Sequence, residues 1–145
     1  MKKAVILKNG KAIITNAEIA DNFFRRFMGL MFRKCIADDY ALHITPCNQI
    51  HMLNMNFAID VVYLSASGEV VRIDENVQPG KVCKTVKKAK SVIEIKAFAA
   101  SGLGICEGDI LEITFGQRTL KVRVLTVKDN VAKADASAMY EIIEG

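Results

Sequence analysis

Apolar and polar positions alternate along this chain in short stretches, and turn residues bound most of them. Lys3 to Lys8 and Lys11 to Thr15 are β-rich and flank Asn9-Gly10, the dipeptide most typical of a two-residue hairpin. The second strand can continue to Ile19 or Ala20. Asp21 then caps a short helix carrying Phe23, Phe24, Phe27 and Leu30 at helical spacing, with Gly29 as its stop. A helix starting at Thr15, with Thr15-x-x-Glu18 as a capping box, is the alternative. Further on, Ala41 to Ile44, Gln49 to Leu53 and Ile59 to Leu64 are strand-like. Ser65-Ala66-Ser67-Gly68 turns the chain back into Glu69 to Val77, a second hairpin. Ser91 to Ile95 is another strand and Ala97 to Leu103 a short helix. Ile110 to Phe115 and Thr119 to Val127 form a third hairpin across Gly116-Gln117. The alternation of Leu120, Val122 and Val124 with Lys121 and Arg123 marks one buried face. The tail, Ala134 to Ile143, reads as a short helix that docks Met139, Ile142 and Ile143.

Many short strands and few helices predict a mainly β (α+β) class: an antiparallel β-sandwich or small barrel with one or two short helices. A parallel βαβ fold would need longer amphipathic helices between its strands. At 145 residues, without repeats or linker-like stretches, the expectation is a single domain over residues 1–145. Hydrophobic residues at 51% and charged residues at 25% exclude a disordered chain. No apolar run is long enough to span a membrane, and the run after Met1-Lys2-Lys3 stops at Lys8, too soon for a signal peptide. The cytoplasm is the expected compartment. The four cysteines, Cys35, Cys47, Cys83 and Cys106, contain no C-x-x-C pair, so a zinc ribbon and a thioredoxin-like motif are disfavoured.

Charge alters this picture at one place. Lys81, Lys84, Lys87, Lys88 and Lys90 lie within ten residues, and removing those five charges from the net +4 leaves −1. Such a patch can meet an anionic ligand. No aromatic residue is interleaved with the lysines to stack on bases, so a solvated loop running into an edge strand is the favoured interpretation and nucleic acid is not expected as a partner. Oligomeric state is not legible.

Candidate chemistry gathers between Arg26 and Asp60. His43, Cys47 and His51 are spaced four apart, but on an extended strand such neighbours stand about 13 Å apart at ~3.3 Å per residue, too far to share a tetrahedral ion. Met28, Met31, Met52 and Met55 fit core filling better than soft copper binding beside His51. Neither a metal nor a cofactor is expected. A Cys47–His51 pair with Asp60 as orienting carboxylate would make a thiol nucleophile or small hydrolase site. Asp60 and Glu94 each sit inside an apolar run, where a carboxylate must be paired or hydrogen-bonded. Arg26 and Arg33 are candidate partners, in ion pairs that would hold the helix to the sheet. The alternative is a polar cluster that binds a ligand.

The segment Arg26-Phe-Met-Gly29-Leu30-Met31-Phe-Arg33 resembles the R-x-x-G-L-M-x-R opening of the domain of unknown function family 192. Pro46-Cys47 through Ile50-His51, Met55 and Ile59-Asp60-Val61-Val62-Tyr63-Leu64 is similar to that family's central motif. Gly68-Glu69-Val70-Val71, Val92-Ile93-Glu94 and Gly104-Ile105-Cys106-Glu107-Gly108-Asp109 follow in the family's order. The resemblance runs over about residues 17–115. It implies a small β-sandwich-like fold and no established reaction. It also implies that Cys47 and His51 are not shared by every branch, since others place Trp-Met where His51-Met52 stands.

Three functions stay open at this level. A non-catalytic binding module would use Arg26, His51, Asp60 and Glu94 around a modest pocket for a small or anionic ligand. A thiol enzyme would use Cys47, His51 and Asp60. An assembly protein would use the lysine patch. Within the segment, the half from Cys47 to Asp60 is the stronger candidate for chemistry, and the Arg26 half is expected to clamp a helix end to the sheet.

Overall fold

In the computed structural model, which describes residues 1–115, β1 (Lys2–Lys8) and β2 (Lys11–Ala20) form the hairpin signalled by Asn9-Gly10. A six-residue helix, α1 (Phe23–Met28), leads by a loop into β3 (Tyr40–Ile44). The second hairpin is β4 (Ile59–Leu64) and β5 (Val70–Val77), followed by β6 (Ser91–Lys96), the short α2 (Ala99–Gly102) and β7 (Leu111–Phe115). The expected strand Thr119–Val127 and the tail helix Ala134–Ile143 lie outside the described residues.

The strands make one sheet in the order β5-β4-β6-β3-β2-β1-β7. The mainly β class with two short helices therefore holds. Its neighbours are antiparallel except β2 and β3, which run parallel from Asn16 opposite Tyr40 to Ala20 opposite Ile44, so the sheet is mixed. The stretch that carries α1 is long enough to bring the chain back in the same direction. Among the described residues the sheet does not close into a barrel. Its two outer strands meet at one end only: Glu69 and Ile110 make an isolated bridge, Val70 N–H donates to Asp109 O at 2.8 Å, and Leu111 N–H donates to Gly68 O at 2.9 Å. Curling of this kind accumulates from the right-handed twist of each strand.

Both faces of the sheet are covered, which is why all six residues of β4 are buried and its sequence is nearly continuous in apolar residues. One face packs Leu42, Ile44, Val61, Tyr63 and Val92 against Leu30, Ile50, Met52 and Met55 from the loops. The other packs Ile6, Ile14, Ala41, Val62 and Ile93 against Ala100 of α2 and Ile105. Register then separates the two buried carboxylates. Val61 stands opposite Glu94 and Asp60 opposite Ile95, so Asp60 and Glu94 project from opposite faces. Among the described residues no helix is long and apolar enough to cross a membrane.

Two local expectations are corrected. Asn22, not Asp21, caps α1: its Oδ1 accepts the Arg25 N–H at 2.8 Å, while Asp21 pairs with Lys2. Gln49 to Leu53 is not a strand, and its extended backbone enters the pairing only where His51 bridges Val82.

Candidate functional site

The helix α1 buries none of its own residues. Its phenylalanines are set outward: Phe23 is 78%, Phe24 69% and Phe27 55% exposed, and the apolar anchor is Leu30, beyond the helix end. Gly29 makes that end possible. Its φ is +47°, a conformation side chains rarely adopt, and a Cβ there would stand 3.6 Å from Glu94 Oε1.

Between α1 and residues 46–51 lies an open cleft of about 560 Å³, within the range of ~300–1,000 Å³ usual for binding sites. Phe23, Arg26 and Phe27 form its helical wall, and Cys47, His51 and Lys90 stand across from them. Arg26 fastens the mouth, donating from Nη1 to Pro46 O at 3.1 Å. Beneath Phe27 and Gly29 a cavity of about 30 Å³, the size of one water, ends on Glu94. Glu94 is 4% exposed, and burial pushes its carboxyl up to about 8 while the charge of Arg33 pulls the other way. No ion pair closes on it among the described residues, because Arg33 is turned to Tyr40 Oη at 3.1 Å and to Glu18 Oε1 at 3.9 Å. The expected Arg–Glu94 pair is therefore absent from that interface.

Of the residues expected to share a site, Arg26, Cys47, His51 and Glu94 do come together here, and Asp60 does not. Asp60 is fully buried on the far face, where Oδ1 accepts the N–H of Asn76 at 2.8 Å and of Phe98 at 2.9 Å, and Oδ2 that of Ala100 at 3.0 Å. It joins the end of β5 to the loop entering α2, with no arginine involved among the described residues. His43 also faces away from the cleft, on the side of Ala41 and Ile93. Its two ring nitrogens are buried without hydrogen-bond partners among the described residues, and burial lowers its pKa to about 4.

The Cys47–His51 geometry opposes nucleophilic catalysis. His51 accepts the Leu53 N–H at Nδ1 (3.2 Å), so Nε2 carries the proton and donates it to Phe27 O at 3.1 Å. Both nitrogens are occupied in stapling the end of α1 to the loop. Cys47 Sγ donates to Gln49 O at 3.2 Å, and burial raises its thiol pKa, opposite to what a thiolate nucleophile needs.

The lysine segment is the exposed loop expected of it, but the strand it runs into, β6, lies between β4 and β3 and is not an edge strand. Residues 81–90 run along residues 47–52, joined by Met52 N–H to Lys81 O (2.6 Å), Cys83 N–H to Ile50 O (3.1 Å), Val86 N–H to Asn48 O (2.8 Å) and Cys47 N–H to Lys90 O (2.9 Å). All five lysines are exposed. Lys90, at the end of the segment, lines the same cleft as Phe23 and Phe27, which stand more than sixty positions earlier in the sequence. That juxtaposition is invisible to a search for interleaved residues.

A rolled, mainly β sheet with a cleft under a short outward helix defines the class of protein. The model of the domain of unknown function family 192, described as "Uncharacterized ACR", matches residues 4–113, and the chain belongs to this family of unknown function. The UPF0127 protein of Pyrococcus furiosus is 35% identical over 109 residues, covering 71% of this chain and 90% of the relative. A Streptococcus pneumoniae protein named RQC P-site tRNA stabilizing factor is 37% identical over 79 residues, half of this chain and 90% of its own length. A structure of a Novosphingobium aromaticivorans protein of unknown function is similar in fold, with a TM-score of 0.67 at 22% identity over 76% of this chain and 83% of that one. The relative whose name contains P-site tRNA overturns the expectation that nucleic acid is not a partner.

Proposed function

We propose that this chain is a non-catalytic RNA-contacting module, which holds a structured RNA such as tRNA against the basic side of its cleft. The observation that carries this reading is the lysine segment. Main-chain hydrogen bonds fix its backbone along residues 47–52, and Lys90 at its end lines the cleft together with Arg26. A mobile loop would lose more conformational entropy when it met a phosphate backbone. The relative named for stabilising P-site tRNA supports the choice of RNA. Arg26, His51 and Glu94 serve in this reading as the frame of the cleft rather than as contacts to a small molecule. Asp60 is scaffold, and the cytoplasm is where such a partner would be met.

The test is fluorescence anisotropy of labelled tRNA across a salt series. Binding should weaken steadily as salt rises. Replacing Lys87 and Lys88 by alanine should flatten the slope of log K against log salt by about 1.4–1.8, near 0.7–0.9 for each phosphate that is no longer neutralised. No binding at low salt, or an unchanged slope in the double variant, would remove the lysine segment from the function.

A further inference from the structure

We infer that the cleft takes unpaired nucleotides, with bases seated on Phe23 and Phe27; this rests on the RNA reading above and names the form of RNA the same site accepts. Exposing three phenylalanines on a six-residue helix is costly, since each leaves a large apolar surface in water. Phe23 and Phe27 are four residues apart on one helical face, and both line the cleft. The His51 ring comes up to Phe27 from the other wall, its centroid 5.6 Å from that of Phe27 and tilted by 43°. Three rings therefore line the cleft, two on its helical wall and one across from them, and Lys90 and Arg26 supply positive charge at the same opening.

Exposed rings beside cations in one cleft match the two surfaces of a single strand, the base face and the phosphate. In a duplex the base faces are stacked on one another and inaccessible, so the phenylalanines would gain nothing from it. A lipid surface would also accept phenylalanines and lysines, but it is flat, whereas the rings here line the wall of a cleft. Asn48 and Gln49, which also line the cleft, add polar groups within reach of a base edge.

The experiment compares a short single-stranded oligoribonucleotide, a hairpin duplex of the same composition and phosphatidylserine-containing vesicles, using the full chain and its Phe23→Ala, Phe23→Leu and Phe27→Ala variants. Because α1 buries none of its residues, Phe23→Ala should leave the melting temperature unchanged. The single strand is expected to bind more tightly than the duplex. Phe23→Ala and Phe27→Ala should each weaken it roughly 5- to 100-fold, as removal of a base–ring stack does, and Phe23→Leu nearly as much because it keeps apolar area but no ring face. Equal binding of strand and duplex, insensitive to the phenylalanines yet steep in salt, would overturn the base-seating inference and leave the RNA reading intact. Binding of neither RNA would end both. Phenylalanine-dependent binding of vesicles without RNA binding would assign the surface to lipid and overturn the inference.

Discussion

Asp60 is held by three backbone N–H groups from two separate segments, with both carboxylate oxygens used. Asp60→Ala would strand those donors in the interior at ~1–3 kcal/mol each, so the loss should be at least about 3 kcal/mol in a urea titration. Asp60→Asn should lose less, since its amide oxygen can still accept from Asn76 and Phe98. A change near zero for the alanine variant would show that the three bonds are not the source of stability. Half of this role was legible in the sequence: a carboxylate within Phe57-Ala58-Ile59-Asp60-Val61 had to be satisfied. What satisfied it was not, because backbone donors at positions 76, 98 and 100 carry no residue-type signature, unlike the arginines that were expected. Cys47 offers a second test at this scale. Its thiol is half-buried, its pKa raised by burial, whereas Cys35 and Cys106 are exposed. Iodoacetamide should label Cys35 and Cys106 before Cys47; preferential labelling of Cys47 would restore the nucleophile that the geometry opposes.

At the scale of elements, β6 and β3 carry two buried titrating groups whose effects on stability run in opposite directions. Burial raises Glu94 from 4.5 to about 8, so across that window the folded chain keeps a proton the unfolded chain has released, and stability falls as pH rises. Burial lowers His43 from 6.5 to about 4, so below pH 6.5 the unfolded chain takes up a proton that the folded chain refuses, and stability falls as pH drops. The two oppose each other below 6.5, and from 6.5 to 8 the Glu94 effect acts without that opposition. Chemical denaturation over that upper range should show stability declining by up to about 1.4 kcal/mol per pH unit, one proton's worth, with Glu94→Gln removing the decline. Equal slopes in the two proteins would mean that Glu94 is ionised in the folded state throughout. The elements themselves were mostly legible, because hairpin turns and period-two alternation are local. The direction in which α1 faces was not, since Phe23, Phe24 and Phe27 at helical spacing look the same whether they pack on a sheet or line a cleft.

For the whole molecule, the mainly β class followed from the strand count, but the closure of the sheet depended on a single close approach that no periodicity records. Gly68 sits at φ +85° in the turn between β4 and β5, and a Cβ there would come within 2.5 Å of Leu111 O. The same backbone accepts the Leu111 N–H, and next to it Glu69 bridges Ile110. The contact between the two outer strands therefore requires a residue without a side chain, and it ties the hairpin at one end of the sheet to the strand at the other. Gly68→Ala must either shift the Leu111 backbone or open the bridge, a clash of the kind that costs about 1–3 kcal/mol in a packed region. If closure at this one point holds the roll of the sheet, the destabilisation should be accompanied by faster hydrogen exchange at the Val70 and Leu111 amides, which donate across the junction, while the Cys47 and Val86 amides beside the cleft keep their protection. A uniform rise in exchange would instead make the junction and the cleft one cooperative unit. An unchanged variant would mean that the turn has another conformation open to it and that the roll does not depend on this approach.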